Sequence, residues 1–199
     1  MKILVVGGSG TLGKAVVKML CAQHEVVTAN LHSGDFQVDI TDDPSVTALF
    51  KQLGKIDALV ATTGRVHFGP LASTTADQFK EGLMDKLLGQ VRLVLIGQHA
   101  LNDAGSITLT SGILSEEPIR QGSNAGTVNA AIDGFVRAAA IELPRGLRIN
   151  AVSPTVLVES SDVYGPFFPG FEAIPAAKAA MAYRRSVEGA QTGCVYRVW

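Results

Sequence analysis

The sequence predicts an α/β fold in which a parallel sheet is covered by helices on both faces. Short apolar runs rich in β-branched residues alternate with longer segments of helical period along the whole chain. Strands that alternate with helices need right-handed crossovers, and these produce a doubly wound parallel sheet in a three-layer sandwich. About seven strands are expected. The 199 residues, 47% of them hydrophobic, suit one domain spanning 1–199.

The elements follow from these runs in chain order. The predicted strands cover 2–6, 25–29, 36–40, 56–62, 106–110, 147–153 and 194–198. The predicted helices cover 11–22, 43–53, 75–84, 86–102, 122–143 and 176–187. Residues 153–176, dense in proline and aromatic residues, are expected to form a long irregular loop that acts as a lid or substrate wall.

Charge and composition argue against several classes of partner. With 17 basic and 18 acidic residues the net charge is −1, so no basic stripe favours nucleic acid. No apolar run approaches the roughly 20 residues that span a bilayer, and the start of the chain does not resemble a signal peptide, so we expect a cytoplasmic protein without a membrane partner. Cys21 and Cys194 form no metal site or disulfide framework, and both are expected to be buried thiols.

A glycine-rich turn between the first strand and the first helix is the main binding motif. Gly7, Gly10 and Gly13 stand in "VVGGSGTLGKAV". Glycines there allow a tight turn and close approach to a pyrophosphate, while free N–H groups at the helix start face the anion. An ordinary strand-to-helix turn is the alternative. The residues expected to bind a dinucleotide are Gly7, Ser9, Gly10, Thr11, Leu12 and Gly13.

The end of the second strand favours NADP over NAD. The strand ends at Asn30 and Leu31 without the carboxylate that usually holds an adenosine ribose. Its absence removes repulsion against a 2′-phosphate, and Lys14, His32 and Ser33 are near enough in sequence to contribute positive charge or hydrogen bonds. NAD remains a possible cofactor.

Further cofactor contacts are expected where later strands end. Asp39 could accept a hydrogen bond from an adenine amino group or cap the next helix, although Asp42 or Asp43 fits the capping role better. Gly64 would let the backbone pass close to the cofactor. The remaining expected contacts are Ile40, Thr62, Asn129, Pro154 and Val156.

With these pieces in place, the chain resembles the short-chain dehydrogenase/reductase superfamily over nearly its full length. The resemblance is carried by "GGSGTLG", "VDITD", "ATTG", "GSITLTSG", "AAIDGFVRAAAIELPRGLRINAVSPTV" and "GAQTGCVYRV". It implies a Rossmann-type fold, a nicotinamide cofactor, and a Ser, Tyr, Lys and Asn that act on a carbonyl or alcohol. Ser111 matches the family serine. The family's tyrosine and lysine positions fall on Ala125 and Asn129, so the Tyr-x-x-x-Lys pair is expected to be missing.

Lys86 stands where the family pattern has its asparagine, so lysine and asparagine have exchanged places between two neighbouring helices. Our hypothesis is that the Lys86 ammonium occupies the space normally filled from position 129, where a desolvated lysine could transfer protons near neutrality. Lys86 could instead pair with Asp85 or with solvent. Tyr164 is the first candidate for a replacement acid, or part of an aromatic lid. Arg65 could meet an anionic substrate or a cofactor phosphate, and His67 could titrate near neutrality.

Two functions remain open on this basis. The first is an NADP-dependent oxidoreductase with an altered proton relay, acting on a small-molecule carbonyl or alcohol. The second is a catalytically inactive NADP-binding redox sensor or structural protein. In either case the resemblance implies a homodimer or homotetramer formed through the helices at 86–102 and 122–143, the second of which has an alanine-rich face.

Overall fold

A seven-stranded parallel sheet forms the centre of the molecule. The computed structural model describes all residues from 1 to 199. Its strands are β1 (Lys2–Val6), β2 (Glu25–Asn30), β3 (Phe36–Gln37), β4 (Ile56–Ala61), β5 (Leu101–Thr110), β6 (Arg148–Pro154) and β7 (Val195–Val198). They are ordered β3-β2-β1-β4-β5-β6-β7, and every neighbouring pair is parallel. The predicted doubly wound, Rossmann-type fold is therefore confirmed.

The helices that cover the sheet are α1 (Thr11–Leu20), α2 (Asp43–Leu53), α3 (Ala76–Gly82), α4 (Leu88–Gly97), α5 (Ser123–Glu142), α6 (Ser161–Tyr164) and α7 (Ala176–Glu188). A π-helical segment, Leu83–Leu87, joins α3 to α4, so the predicted break near residue 85 is wrong. The helix predicted to reach residue 102 ends at Gly97, because Leu101 already opens β5.

The core lies on both faces of the sheet because successive strand residues point to opposite sides. Leu4 and Val6 of β1 belong to a cluster of 23 buried residues that includes side chains from α2, α4 and α5. Ile3 and Val5 belong to the second cluster, which contains side chains from α1 and α7. Strands buried on both faces explain the unbroken apolar runs in the sequence.

Two further expectations need correction. The 153–176 segment is not wholly irregular, because α6 and the one-turn 3-10 helices at Val158–Ser160 and Gly165–Phe167 lie within it. Cys21 is exposed and Cys194 partly exposed, so the prediction of two buried thiols is wrong. Cys21 follows the last buried residue of α1 and Cys194 precedes the edge strand β7, so both lie at the rim of the core.

The strand order determines where a ligand can bind. The chain winds outwards from β1 in one direction and from β4 in the other, and such a switch point opens a crevice at the carboxyl ends of the strands. None of the helices is both long enough and apolar enough to cross a membrane.

Candidate active site

A cleft runs along the carboxyl ends of the strands and consists of two cavities that share Gly64 and Arg65. The glycine-loop cavity, about 570 Å³, lies beside the turn between β1 and α1 and is lined by Gly7, Ser9, Gly10, Asn30, His32, Asp39, Ile40 and Thr62 among others. The lysine cavity, about 450 Å³, is lined by Lys86, Gly112, Ala125, Asn129, Pro154, Val156 and Tyr164 among others.

The glycine loop has the geometry that a pyrophosphate requires. Gly7 has φ +87, and a Cβ there would lie 2.7 Å from the Thr62 carbonyl oxygen. A Cβ on Gly13 would overlap the Gly7 carbonyl group. No side chain caps the start of α1, so the N–H groups of its first turn are free for an anion. The loop therefore fits the phosphates of a dinucleotide.

Three of the six residues predicted in this loop do not line the cavity. Thr11 is exposed at the start of α1, Leu12 packs against the second core cluster, and Gly13 is buried. Their backbone N–H groups remain available to a phosphate, because no side chain caps the start of α1.

Asn30 supports the glycine loop through both polar groups of its side chain. Its Oδ1 accepts a hydrogen bond from the Ser9 N–H at 3.0 Å, and its Nδ2 donates to the Ser33 carbonyl oxygen at 3.2 Å. His32 is exposed and lines the cavity, whereas neither Lys14 nor Ser33 does. His32 is thus the one residue of the three proposed for a 2′-phosphate that faces this cavity.

One of the two carboxylate oxygens of Asp39 is hydrogen-bonded within its own loop. Its Oδ1 accepts hydrogen bonds from the Thr41 N–H at 2.8 Å and the Thr41 hydroxyl at 2.6 Å, and these bonds lower the pKa of the carboxyl. Its Oδ2 accepts none and can meet an adenine amino group. The cap of α2 is Asp42, whose carboxylate accepts from the Ser45 N–H at 2.9 Å, as predicted.

Lys86 lies in the wall of the lysine cavity beside Asn129. Its Nζ donates hydrogen bonds to Asn129 Oδ1 at 2.7 Å and to the Ser111 carbonyl oxygen at 2.9 Å. Because an ammonium has three N–H groups, one remains for a ligand. Burial lowers the pKa of Lys86 to about 8, and the charge of Asp133 opposes this shift. The alternative pairing with Asp85 is wrong, because Asp85 binds Arg65 instead.

The backbone around Lys86 brings its side chain to this place. A π-helical turn, often found at functional sites, contains Lys86. Gly64 has φ +116, and a Cβ there would lie 2.6 Å from Lys86 Cα, so only glycine allows this close contact. Asp85 accepts hydrogen bonds from the Arg65 N–H at 2.8 Å and from Arg65 Nε at 3.1 Å. These bonds fasten the loop after β4 to the π-helical turn.

Ser111 lies next to the lysine cavity and binds Lys86 through its backbone carbonyl group. The residue is only 3% exposed and does not line the lysine cavity, whereas the adjacent Gly112 does. Its hydroxyl makes no hydrogen bond and is directed towards Asp133, while its carbonyl group holds Lys86. Successive residues of an extended chain point in opposite directions, so positions 111 and 112 face different sides, and only position 112 faces the cavity.

Asp133 was not predicted from the sequence. It lies one helical turn after Asn129 on α5, is 3% exposed, and has the Ser111 and Ser115 hydroxyls as neighbours. Burial raises the pKa of Asp133, and these two hydroxyls oppose the shift. One sequence signal could have found Asp133: it is a carboxylate on the otherwise apolar face of a predicted helix, one turn after Asn129.

Tyr164 lines the lysine cavity from α6 and is 43% exposed. Its ring centroid lies 5.8 Å from that of Phe68, and its hydroxyl makes no hydrogen bond. His67 lines neither cavity. The position predicted for the family tyrosine is occupied by buried Ala125, which forms part of the lysine cavity wall.

Comparison with known proteins decides the family. The family model described as Enoyl-(Acyl carrier protein) reductase matches residues 11–193. The chain belongs to the short-chain dehydrogenase/reductase superfamily. Membership accounts for the Rossmann-type sheet and for the cleft at its carboxyl edge.

Several superfamily relatives match this chain along most of its length. The crystal structure of the protein lin1944 from Listeria innocua is 52% identical, covers 100% of both chains and has a TM-score of 0.98. A small-chain dehydrogenase in complex with NADPH is 28% identical, with 100% of this chain and 96% of that chain covered and a TM-score of 0.88. The short-chain dehydrogenase/reductase ATR9 of Stachybotrys chlorohalonatus is 29% identical over 90% of this chain and 80% of its own.

Proposed function

We propose that this chain is an NADP(H)-dependent oxidoreductase that transfers a hydride between nicotinamide and a small carbonyl or alcohol substrate, with Lys86 in the proton relay. The observation that carries the proposal is the Lys86 ammonium, fixed by two acceptors in a cavity that continues into the glycine-loop cavity. Superfamily membership and the relative crystallised with NADPH support the choice of cofactor.

The residues present fit a dinucleotide that spans the two cavities. The N–H groups of Thr11, Leu12 and Gly13, uncapped at the start of α1, would hold the pyrophosphate beside Gly7, Ser9 and Gly10. Asp39 Oδ2 would accept a hydrogen bond from the adenine amino group. His32 would face the 2′-phosphate that distinguishes NADP from NAD. When bound, the nicotinamide ring supplies or accepts the hydride.

Lys86 would act on the substrate oxygen. The N–H that is not bound to Asn129 or to the Ser111 carbonyl donates to the carbonyl oxygen of the substrate. As the hydride reaches the carbonyl carbon, the ammonium transfers one proton to that oxygen, which gives an alcohol and a neutral amine. The amine then regains a proton from solvent, and with a pKa of about 8 both states are accessible near neutrality.

The first experiment is a fluorescence titration with NADPH and NADH. The wild-type protein should bind NADPH more tightly, and His32→Gln should weaken NADPH binding without changing NADH binding. Lys14→Gln is the matched control, because Lys14 lies outside the cavity and should leave both affinities unchanged. Equal binding of the two cofactors by the wild-type protein would contradict the assignment of NADP.

Turnover is tested with Lys86→Met. This variant should keep NADPH affinity and lose carbonyl reduction by a factor of at least about 10². Lys80→Met, an exposed lysine on the preceding helix α3, serves as the control and should retain activity. Unchanged turnover in Lys86→Met would contradict the proposed role of Lys86 in proton transfer.

A second function is favoured by the direction of Ser111. Because its hydroxyl points away from the lysine cavity and Ala125 brings no acid, the chain could bind NADP as a redox sensor without turnover. Tight NADPH binding together with no reduction across a panel of aldehydes and ketones would decide for this alternative.

A further inference from the structure

Three aromatic side chains contribute to the wall of the lysine cavity. Phe68, Tyr164 and Phe168 line it. The Phe68 ring centroid lies 5.8 Å from that of Tyr164 and 5.1 Å from that of Phe167. Two separate segments, one after β4 and one after β6, thus bring their aromatic side chains to the same place.

The Phe68 side of this wall is fixed to α5. The His67 N–H donates to Asn124 Oδ1 at 2.9 Å, and the Gly69 N–H donates to the Gln121 carbonyl oxygen at 2.9 Å. Asn124, itself 1% exposed, also donates from Nδ2 to the Phe79 carbonyl oxygen at 2.6 Å. Hydrogen bonds on both sides of Phe68 therefore hold its ring at the cavity.

Hydrogen bonds join the two ends of the segment after β6 that carries Tyr164 and Phe168. The Val158 N–H donates to the Ile174 carbonyl oxygen at 2.9 Å, and the Ile174 N–H donates to that of Val156 at 3.1 Å. The Glu159 carboxylate accepts from the Ala176 N–H at 3.0 Å, which joins the segment to the start of α7. Tyr164 and Phe168 lie within this closed loop, and the exposure of Tyr164 leaves its ring accessible to a ligand.

Three charged side chains, Arg65, Glu81 and Lys86, line the lysine cavity. Arg65 is paired with Asp85, and its side chain is 76% exposed. Glu81 is exposed, and the Lys86 ammonium has two acceptors and one N–H left for a substrate oxygen. Most other lining side chains are apolar: Val66, Ile113, Leu114, Ala125, Val156 and Leu157. The apolar part of the lining therefore favours a ligand with an apolar ring or chain.

We propose that the lysine cavity is specific for aldehydes and ketones that carry an aromatic ring next to the carbonyl group, with the ring packed against Phe68, Tyr164 and Phe168. This specificity rests on the proposed reductase function. Lys86 donates to the carbonyl oxygen, the hydride adds to the carbonyl carbon, and the product is the corresponding arylcarbinol. Offset or edge-to-face packing of the substrate ring on these side chains adds to the burial of its apolar surface.

The kinetic test compares benzaldehyde with cyclohexanecarboxaldehyde, which has the same carbon count and no aromatic ring. The ratio of their kcat/KM values should fall by about 2- to 10-fold in Phe68→Leu and in Tyr164→Leu. Differences in intrinsic reactivity cancel, because each variant is compared with the wild-type protein. Tyr164→Phe keeps the ring and should keep the ratio. Val163→Leu, in the same segment but 66% exposed and outside the cavity lining, is the control.

A binding test distinguishes failure of the specificity from failure of the reductase function. Calorimetric titrations of the NADPH-loaded protein use benzamide and cyclohexanecarboxamide, which cannot be reduced under these conditions. Benzamide should bind more tightly, and Tyr164→Leu should remove most of the difference. Unchanged kinetic ratios in both leucine variants would overturn the specificity while the reductase function stands. If no aldehyde is reduced, the reductase function fails, and equal binding of the two amides would then overturn the aromatic site as well.

Discussion

Lys86 can change its protonation state close to neutral pH because burial lowers its pKa from 10.5 to about 8. If the ammonium protonates the product oxygen, kcat/KM for carbonyl reduction should be level below pH 8 and fall about tenfold per pH unit above it. Lys86→Arg, whose guanidinium stays charged, should show no inflection near pH 8. The measurement is the pH dependence of NADPH oxidation with a saturating cofactor. A level wild-type profile between pH 7 and 9.5 would contradict the role of Lys86.

Asp133 should determine where that inflection lies. Its negative charge raises the pKa of Lys86 and so opposes the effect of burial. Asp133→Asn removes the charge at nearly constant volume, and the inflection in the reduction profile should therefore move to lower pH. Glu117→Gln, an exposed carboxylate of the loop after β5, is the control and should leave the profile in place. A merely structural Asp133 would change stability without moving the inflection.

The contact between the loop after β4 and the π-helical turn can be tested with two glycines. Gly64 has φ +116 and a Cβ there would collide with Lys86, whereas Gly54 has φ +73 and nothing within 4 Å of such a Cβ. Gly54→Ala should lower the free energy of unfolding by about 1–3 kcal/mol through backbone strain alone, because φ +73 with ψ −149 is a conformation that nearly only glycine adopts. Gly64→Ala should cost about 1–3 kcal/mol more from overlap and should also reduce turnover. Equal losses in denaturant titrations would contradict the contact.

The elements were predicted best where local signals mark both ends. The predicted bounds of α2 match the structure, because Asp42 caps its start and Gly54 ends it with a positive φ. The π-helical turn leaves no such signal, since one widened turn barely alters an apolar period and depends on the Gly64 contact. The predicted helix at 86–102 ran too far because Ala100 and Leu101 keep the helical spacing from Leu93, although Leu101 already opens β5.

In the candidate site, too, the features set by neighbouring residues could be predicted from the sequence, and those set by tertiary packing could not. The glycine turn and the absence of a carboxylate after β2 can be read from neighbouring residues. The direction of the Ser111 side chain depends on one position at a strand end, and the neighbours of Asp133 come from a different element. The Asn124 bonds that fix the loop carrying Phe68 also join residues far apart in sequence. Contacts between residues so far apart in sequence can be identified only in the folded structure.

At the scale of the whole molecule, the open question is whether two copies associate through α4 and α5. Leu95 of α4 is 55% exposed and Ile141 of α5 is 88% exposed, although both are large apolar side chains. A shallow groove between these helices is lined by Val94, Leu95, Phe135, Ala138, Ala139 and Leu143 among others. Small side chains on α5 would allow a second copy to approach closely about a two-fold axis. We therefore expect a homodimer, or a homotetramer that contains this dimer.

A single charge should break such an interface, because a residue at a two-fold contact is substituted in both subunits. Leu95→Glu would place two carboxylates in an apolar contact, and the mass measured by light scattering after size-exclusion chromatography should fall to that of a smaller species. Leu71→Glu, at a side chain that is 70% exposed outside these helices, should leave the wild-type mass unchanged. A wild-type monomer, or a Leu95→Glu protein of wild-type mass, would show that the α4 and α5 face serves another purpose. Turnover that persists in a monomeric Leu95→Glu protein would place the complete proton relay within one chain, as the bonds of Lys86 to its own Asn129 and Ser111 lead us to expect.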